Sequence, residues 1–167
     1  MAPALSVIAQ YKAIDSKSAV KFKIKNFGIN VDGGFGGLDG DISFDPNKPE
    51  EASFKVSISA GTVNTDNDLR DSHLKKETYF DSEHFPRINF KSTKISRSSK
   101  KGMFLIYGEL NIKNHSKEIS FPFTAEPSND GYLFKGVFTI NRRDFDVGGS
   151  SIISDNAEIS LSVYANK

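Results

Sequence analysis

The sequence predicts a mainly β protein: one eight-stranded antiparallel, up-and-down barrel with a short helical segment between its third and fourth strands. Three observations carry that prediction. Apolar and polar residues alternate with a period of two along most of the chain, which marks half-solvated antiparallel strands. Short loop-like clusters separate the alternating runs, so consecutive strands are hairpin neighbours, and closure removes the exposed edges. Fourteen Phe and no Trp give about twice the ordinary share of phenylalanine, so the interior is large-ringed and dry.

Each strand follows from its own register. Val20, Phe22 and Ile24 alternate with Lys21, Lys23 and Lys25, and Phe54, Val56 and Ile58 with Lys55, Ser57 and Ser59. The pattern recurs at Ile88 and Phe90, at Ile119, Phe121 and Phe123, at Phe134, Phe138 and Ile140, and at Ile159, Leu161 and Val163. The strands are expected at about 11–27, 33–45, 51–60, 87–97, 103–113, 117–126, 131–142 and 156–166. Phe35 and Leu38 have opposite parity amid Gly33, Gly34, Gly36 and Gly37, which predicts a bulge or a sharp coil. Gly40, Gly108 and Gly136 occupy inward slots, where either backbones approach closely or space is left for something else. Pro122 lies on the outward face and predicts a break in ladder bonding. Residues 66–80 do not alternate. Leu69, His73 and Leu74 have helical spacing, with Asn64, Thr65 or Asp66 as the cap, and the segment is long enough to form a lid over one barrel end.

Composition excludes several classes. Twenty-two basic against 21 acidic residues, net +1, provide no surplus to displace nucleic-acid counterions. The lack of cysteine removes disulfides, thiolate catalysis and Cys-based zinc sites. No stretch approaches the roughly 18 apolar residues of an integral membrane helix. Residues 1–10 read as a lead segment without the basic and long apolar regions of a signal peptide. His73, His84 and His115 match no metal-ligand spacing. No G-x-S-x-G elbow or comparable constellation indicates catalysis, and no cofactor is implied.

One stretch is more specific. Arg70-Asp71-Ser72-His73-Leu74 is followed by Phe80-Asp81 and then by Phe85-Pro86-Arg87-Ile88-Asn89-Phe90-Lys91-Ser92-Thr93. This resembles the signature of the YceI-like family, bacterial lipid- or polyisoprenoid-binding proteins with a lipocalin-like barrel. Weaker elements stand in order at Tyr11–Asp15, Ser18–Phe22, Gly34-Phe35 with Gly40, Gly108–Ile112 and Arg142–Phe145, so the resemblance runs from about residue 11 to the C-terminus, a domain of residues 11–167. Lys17 stands where the family often has His, Tyr11 where Trp is common, and Asn111 and Asp146 where Thr and Gly are usual. The resemblance implies a non-enzymatic carrier, periplasmic or secreted. It implies a long apolar partner such as a polyisoprenoid, isoprenoid quinone or fatty acid, for transport, storage or sequestration, and it leaves a homodimer open.

The residues expected to line such a pocket are Val20, Phe22 and Ile24, then Phe44, then Phe54, Val56 and Ile58, and Leu69, Leu74 and Phe80 from the helical segment. Phe90, Phe104, Ile106, Phe121, Phe123, Phe134, Phe138 and Ile140 complete the set. Arg70, Asp71 and His73 either hold a polar head at the lid or fix the lid through ion pairs and loop carbonyls. Arg142, Arg143 and Asp144 either meet a phosphate or quinone head or form a strand-end salt bridge. The inward Phe set itself fits a cavity or a solid core, because side chains alone can fill a barrel of eight strands. A solid barrel that binds another protein through its surface is therefore the alternative function.

Overall fold

The computed structural model describes residues 8–167; the first seven residues of the expected lead segment lie outside the described residues. Nine strands form one sheet: β1 (Gln10–Ala13), β2 (Ala19–Asn26), β3 (Ile29–Ser43), β4 (Ser53–Asn64), β5 (Arg87–Arg97), β6 (Met103–Ile112), β7 (His115–Ser128), β8 (Gly131–Asn141) and β9 (Ile153–Asn166). Among the described residues one α-helix, α1 (Asp68–Leu74), lies between β4 and β5. The order β3-β2-β9-β8-β7-β6-β5-β4 closes through β3–β4 into an eight-stranded antiparallel barrel, with β1 as an extra strand.

The first expected strand is thus two. β1 pairs with the end of β3 and the end of β9, β2 with the start of β3 and with β9 between Ile153 and Ser162, and a 3-10 turn at Asp15–Lys17 separates them. The neighbouring strand supplies the reason. β3 shifts register around Gly36 and Asp39, the bulge its glycines predict, and Gly37 takes φ +66°. The Leu38 N–H donates instead to the Asp15 carboxylate at 3.0 Å. A straight β1–β2 strand would carry that carboxylate away from its donor.

Pro122 also has its expected effect. The β7–β8 ladder runs from Ser128 and Gly131 to Phe123 and Gly136 and goes no further, although both strands continue. Without an N–H, Pro122 cannot extend it. Phe121 and Phe138 instead stack across the gap, their ring centroids 4.4 Å apart. Beyond them a 3-10 turn at Arg142–Phe145 inserts the fully buried Phe145 beside Ile119 and Ile140.

One barrel end is filled. Phe44 sits at the centre of a buried cluster with Phe54, Phe104, Phe123 and Phe134, and Tyr132 packs against it. It meets Tyr132 and Phe134 edge-to-face, with centroids 5.1 and 5.2 Å apart, the arrangement favoured by ring quadrupoles. The other end carries the β2–β3 and β6–β7 hairpins and the long β4–β5 and β8–β9 connections. Among the described residues, no helix is long and apolar enough to cross a membrane.

Candidate functional site

Between the aromatic cluster and the opposite end lies a partly open cavity of about 220 Å³, almost wholly apolar. Its wall follows from strand parity: each strand turns alternate side chains inward, and most of those positions are Phe, Ile, Val or Leu. Phe22, Phe54, Phe90, Phe121, Phe134 and Phe138 all line it, as do Val20, Ile24, Val56, Ile58, Ile106, Phe123 and Ile140. Leu74 and Phe80, from α1 and the turn that follows it, also reach the wall.

Three expected lining residues lie elsewhere. Phe44 and Phe104 have inward parity but belong to the filled end, where packing against other rings leaves no space beside them. Leu69 is 72 % exposed. Helix α1 spans only residues 68–74, shorter than the expected segment, and turns Leu74 toward the barrel and Leu69 away.

The inward glycines resolve in favour of close approach. A Cβ at Gly108 would lie 2.3 Å from the Phe90 ring and 2.7 Å from the Lys91 carbonyl oxygen. One at Gly136 would press on Phe121, and one at Gly40 on the Val56 backbone. Gly33 likewise lies beneath Phe22. Phenylalanine rings thus lie over glycines, so the rings bend down along the wall and the cavity keeps its width.

The charged motif at the helix start is consumed internally. Asn67, rather than Asn64, Thr65 or Asp66, caps α1 by accepting from the Arg70 N–H at 3.0 Å. The Arg70 guanidinium donates to the Thr65 hydroxyl and carbonyl at 2.7 and 2.8 Å. Asp71 accepts from the Thr65 N–H at 2.8 Å and from its hydroxyl at 2.6 Å. Both charges therefore grip one buried threonine and hold α1 to the end of β4. His73 is exposed and does not line the cavity.

Arg142 reaches the cavity wall, but its guanidinium is spoken for as well. Nε donates to the Ser154 carbonyl, Nη1 to those of Val147 and Gly149, and Nη2 to those of Ser151 and Ile153, at 2.9–3.2 Å. All five donors meet backbone acceptors in the β8–β9 connection. Nη2 also lies 3.5 Å from the Asp155 carboxylate, and the other expected strand-end ion pairs form around it. Arg143 donates to Asp155 at 2.6 Å and holds that carboxyl below its usual pKa, and Lys117 lies 3.3 Å from Asp144.

His84 contacts Asp81 at 2.7 Å, which raises the imidazole pKa, and His115 bonds the Lys113 carbonyl. Among the described residues, no three His, Asp or Glu side chains are grouped to hold a metal. Two departures from the family pattern settle at the filled end. Tyr11 is buried edge-on to Tyr132, and burial raises its phenol pKa; Lys17 lies over the Tyr164 ring.

Lining residues absent from the sequence-based set include two kinds. Ile88, Ile159, Leu161 and Val163 had the right parity and were readable. Phe145 and Val147 come from the irregular β8–β9 connection, Ile153 from the very start of β9, and Tyr79 from the turn after α1, where no period announces them.

Known proteins agree with this architecture. A UPF0312 protein of Pseudomonas fluorescens is 31 % identical over 158 residues, which cover 86 % of this chain and 78 % of the relative. The crystal structure of BcnA from Burkholderia cenocepacia superposes with a TM-score of 0.86 at 23 % identity, over 92 % of this chain and 99 % of that one. A polyisoprenoid-binding domain from Saccharophagus degradans superposes with a TM-score of 0.76 at 12 % identity, over 93 % and 97 %; at these identities both structures speak for the fold alone. The YceI-like domain profile matches residues 11–165, and the chain belongs to that family.

Proposed function

We propose that the protein holds one long apolar chain, such as a polyisoprenoid, an isoprenoid quinone tail or a fatty acyl chain, inside its barrel, and that it carries or stores this cargo without chemical change. The observation that carries the reading is the cavity itself, an almost wholly apolar space within a closed barrel. Such a wall recognises chain length and girth and offers no group to activate a nucleophile or move a proton. The fold neighbour from Saccharophagus degradans, described as polyisoprenoid-binding, supports the same class of cargo.

In this reading α1 and the turn after it act as a lid. Leu74, Tyr79 and Phe80 face the cavity from that side, and the grip of Arg70 and Asp71 on Thr65 fixes the hinge at β4. The barrel then works in the lipocalin manner, in the periplasm or outside the cell, in keeping with the bacterial binding proteins it resembles.

Native mass spectrometry of the purified protein, before and after denaturation, tests the proposal. The expected result is an adduct released on unfolding, with an aliphatic or prenyl chain in the organic extract. A protein that releases no adduct, and that takes up no long-chain probe offered to it, would instead be a solid interaction module.

A further inference from the structure

Five large apolar side chains are exposed among the described residues, and three of them share one place. Phe27 and Ile29 form the β2–β3 hairpin tip, 77 % and 71 % exposed, and Ile152, 65 % exposed, precedes β9. Asn26 pairs with Ile29 on one side and with Ile153 on the other, which gathers the three around a single point. That point is the lip of the cavity, because Ile24 and Ile153, the neighbouring inward residues, line its wall.

The backbone argues that Phe27 is not there for the fold. The two-residue turn has φ +52° at Phe27 and +75° at Gly28, the signs of a type I′ turn, which favours Asn-Gly. A bulky residue at positive φ is strained, and this one regains nothing by packing. The β6–β7 hairpin makes the same turn with Lys113 and Asn114, both polar.

We infer that this lip docks onto a lipid bilayer, with Phe27, Ile29 and Ile152 inserted at the level of the headgroups, and so joins the membrane interior to the cavity wall. Three side chains are far too small a patch for a stable protein interface, which needs about 800 Å² per partner, but shallow apolar insertion suits them. Charge contributes little. Along β2, Lys23 sits between Asp32 and Glu158 in register and Lys25 stands opposite Asn30, so the hairpin itself carries little unbalanced charge. Binding is therefore expected on neutral as well as anionic lipid. The purpose of docking rests on the reading of the cavity as a lipid site; its measurement does not.

The test is co-sedimentation with phosphatidylcholine vesicles, with and without phosphatidylglycerol, for wild type, Phe27→Asn and the double variant Phe27→Asn with Ile152→Ser. Wild type should partition onto both vesicles, and each substitution should weaken partitioning roughly tenfold. Phe27→Asn should melt no lower than wild type, because Asn tolerates the left-handed turn; a merely structural Phe27 would lower the melting temperature. Ile29→Ser provides an independent exposed site should either of the other positions disturb folding. Wild type that ignores both vesicles, or variants that bind them equally well, would overturn the inference, as would substitutions that abolish a dimer instead. Uptake of a soluble long-chain probe, followed in parallel, keeps the two proposals apart. Vesicle binding that depends on Phe27, without any chain uptake, would refute the cargo and leave the docking.

Discussion

Replacing Arg142 by Met keeps an unbranched apolar stem at a 4 %-exposed position and removes all five of its donors. Carbonyls on the exposed part of the β8–β9 connection, such as that of Gly149, can turn to water. Those of Val147 and its buried surroundings cannot, and each buried acceptor left unpaired costs about 1–3 kcal/mol. Two such acceptors, with some loosening of the loop that carries Val147 and Ile153 into the cavity wall, give a loss of roughly 3–5 kcal/mol. That is large for one substitution. For a chain of this size it corresponds to a fall in melting temperature of roughly 6–20 °C. Arg142→Lys should recover only part of it, since an ammonium has three donors and no planar fork to span the loop. Thermal and urea unfolding followed by circular dichroism read the loss directly. A cost below about 1 kcal/mol would refute the clamp. So would a stable variant that lost affinity only for ligands with an anionic head, because the guanidinium would then be addressing a ligand and not the backbone.

Gly108→Ala should destabilise by about 1–3 kcal/mol, because the added methyl meets the Lys91 carbonyl as well as the yielding Phe90 ring; an unchanged urea midpoint would show that the β5–β6 backbones can separate. His84 has a raised pKa in the folded protein from its contact with Asp81. Its contribution is therefore complete below the unfolded imidazole value of about 6.5 and fades as pH rises through the higher folded value. His84→Gln should flatten that part of the stability profile, and an unaltered profile would mean that the pair is idle. Leu74→Ala, at a half-buried position, should cost about 1–2 kcal/mol, below the range for full burial; a change near zero would mean that α1 does not rest on the barrel. In a series of n-alkyl carboxylates, affinity should rise about fourfold per methylene until the cavity is filled and then level off. Equal binding of short and long chains would place recognition outside the apolar wall.

What could be read in advance was whatever depends on parity. The inward set at Phe22, Phe54, Phe90, Phe121, Phe134 and Phe138 needed only a period of two, and the β3 bulge and the β7–β8 break needed only the chemistry of glycine and proline. Parity tells which way a side chain points but not how far along the barrel it lies, so Phe44 and Phe104 could not be told from cavity residues. The interruption at Asp15–Lys17 was hidden for another reason: it answers a stranded N–H on β3, a partner distant in sequence. The backbone clamp of Arg142 was equally invisible, because five of its six partners are carbonyls, which every residue possesses; only its contact with Asp155 answers to the expected ion pair. Arg70 and Asp71 converge on Thr65, a side chain that no charge pattern would single out.

The aromatic cluster around Phe44 makes the barrel a blind-ended vessel. Whatever the cavity takes in must leave by the route it entered, last portion first, and it cannot be passed through from a donor on one side to a receiver on the other. Loading and unloading therefore compete for a single doorway. On the carrier reading proposed above, a receiver would have to approach the face that the donor has just left, so turnover would proceed by exchange between successive encounters and not by flow. On that same reading, how readily cargo is handed on depends on how often that one face is free.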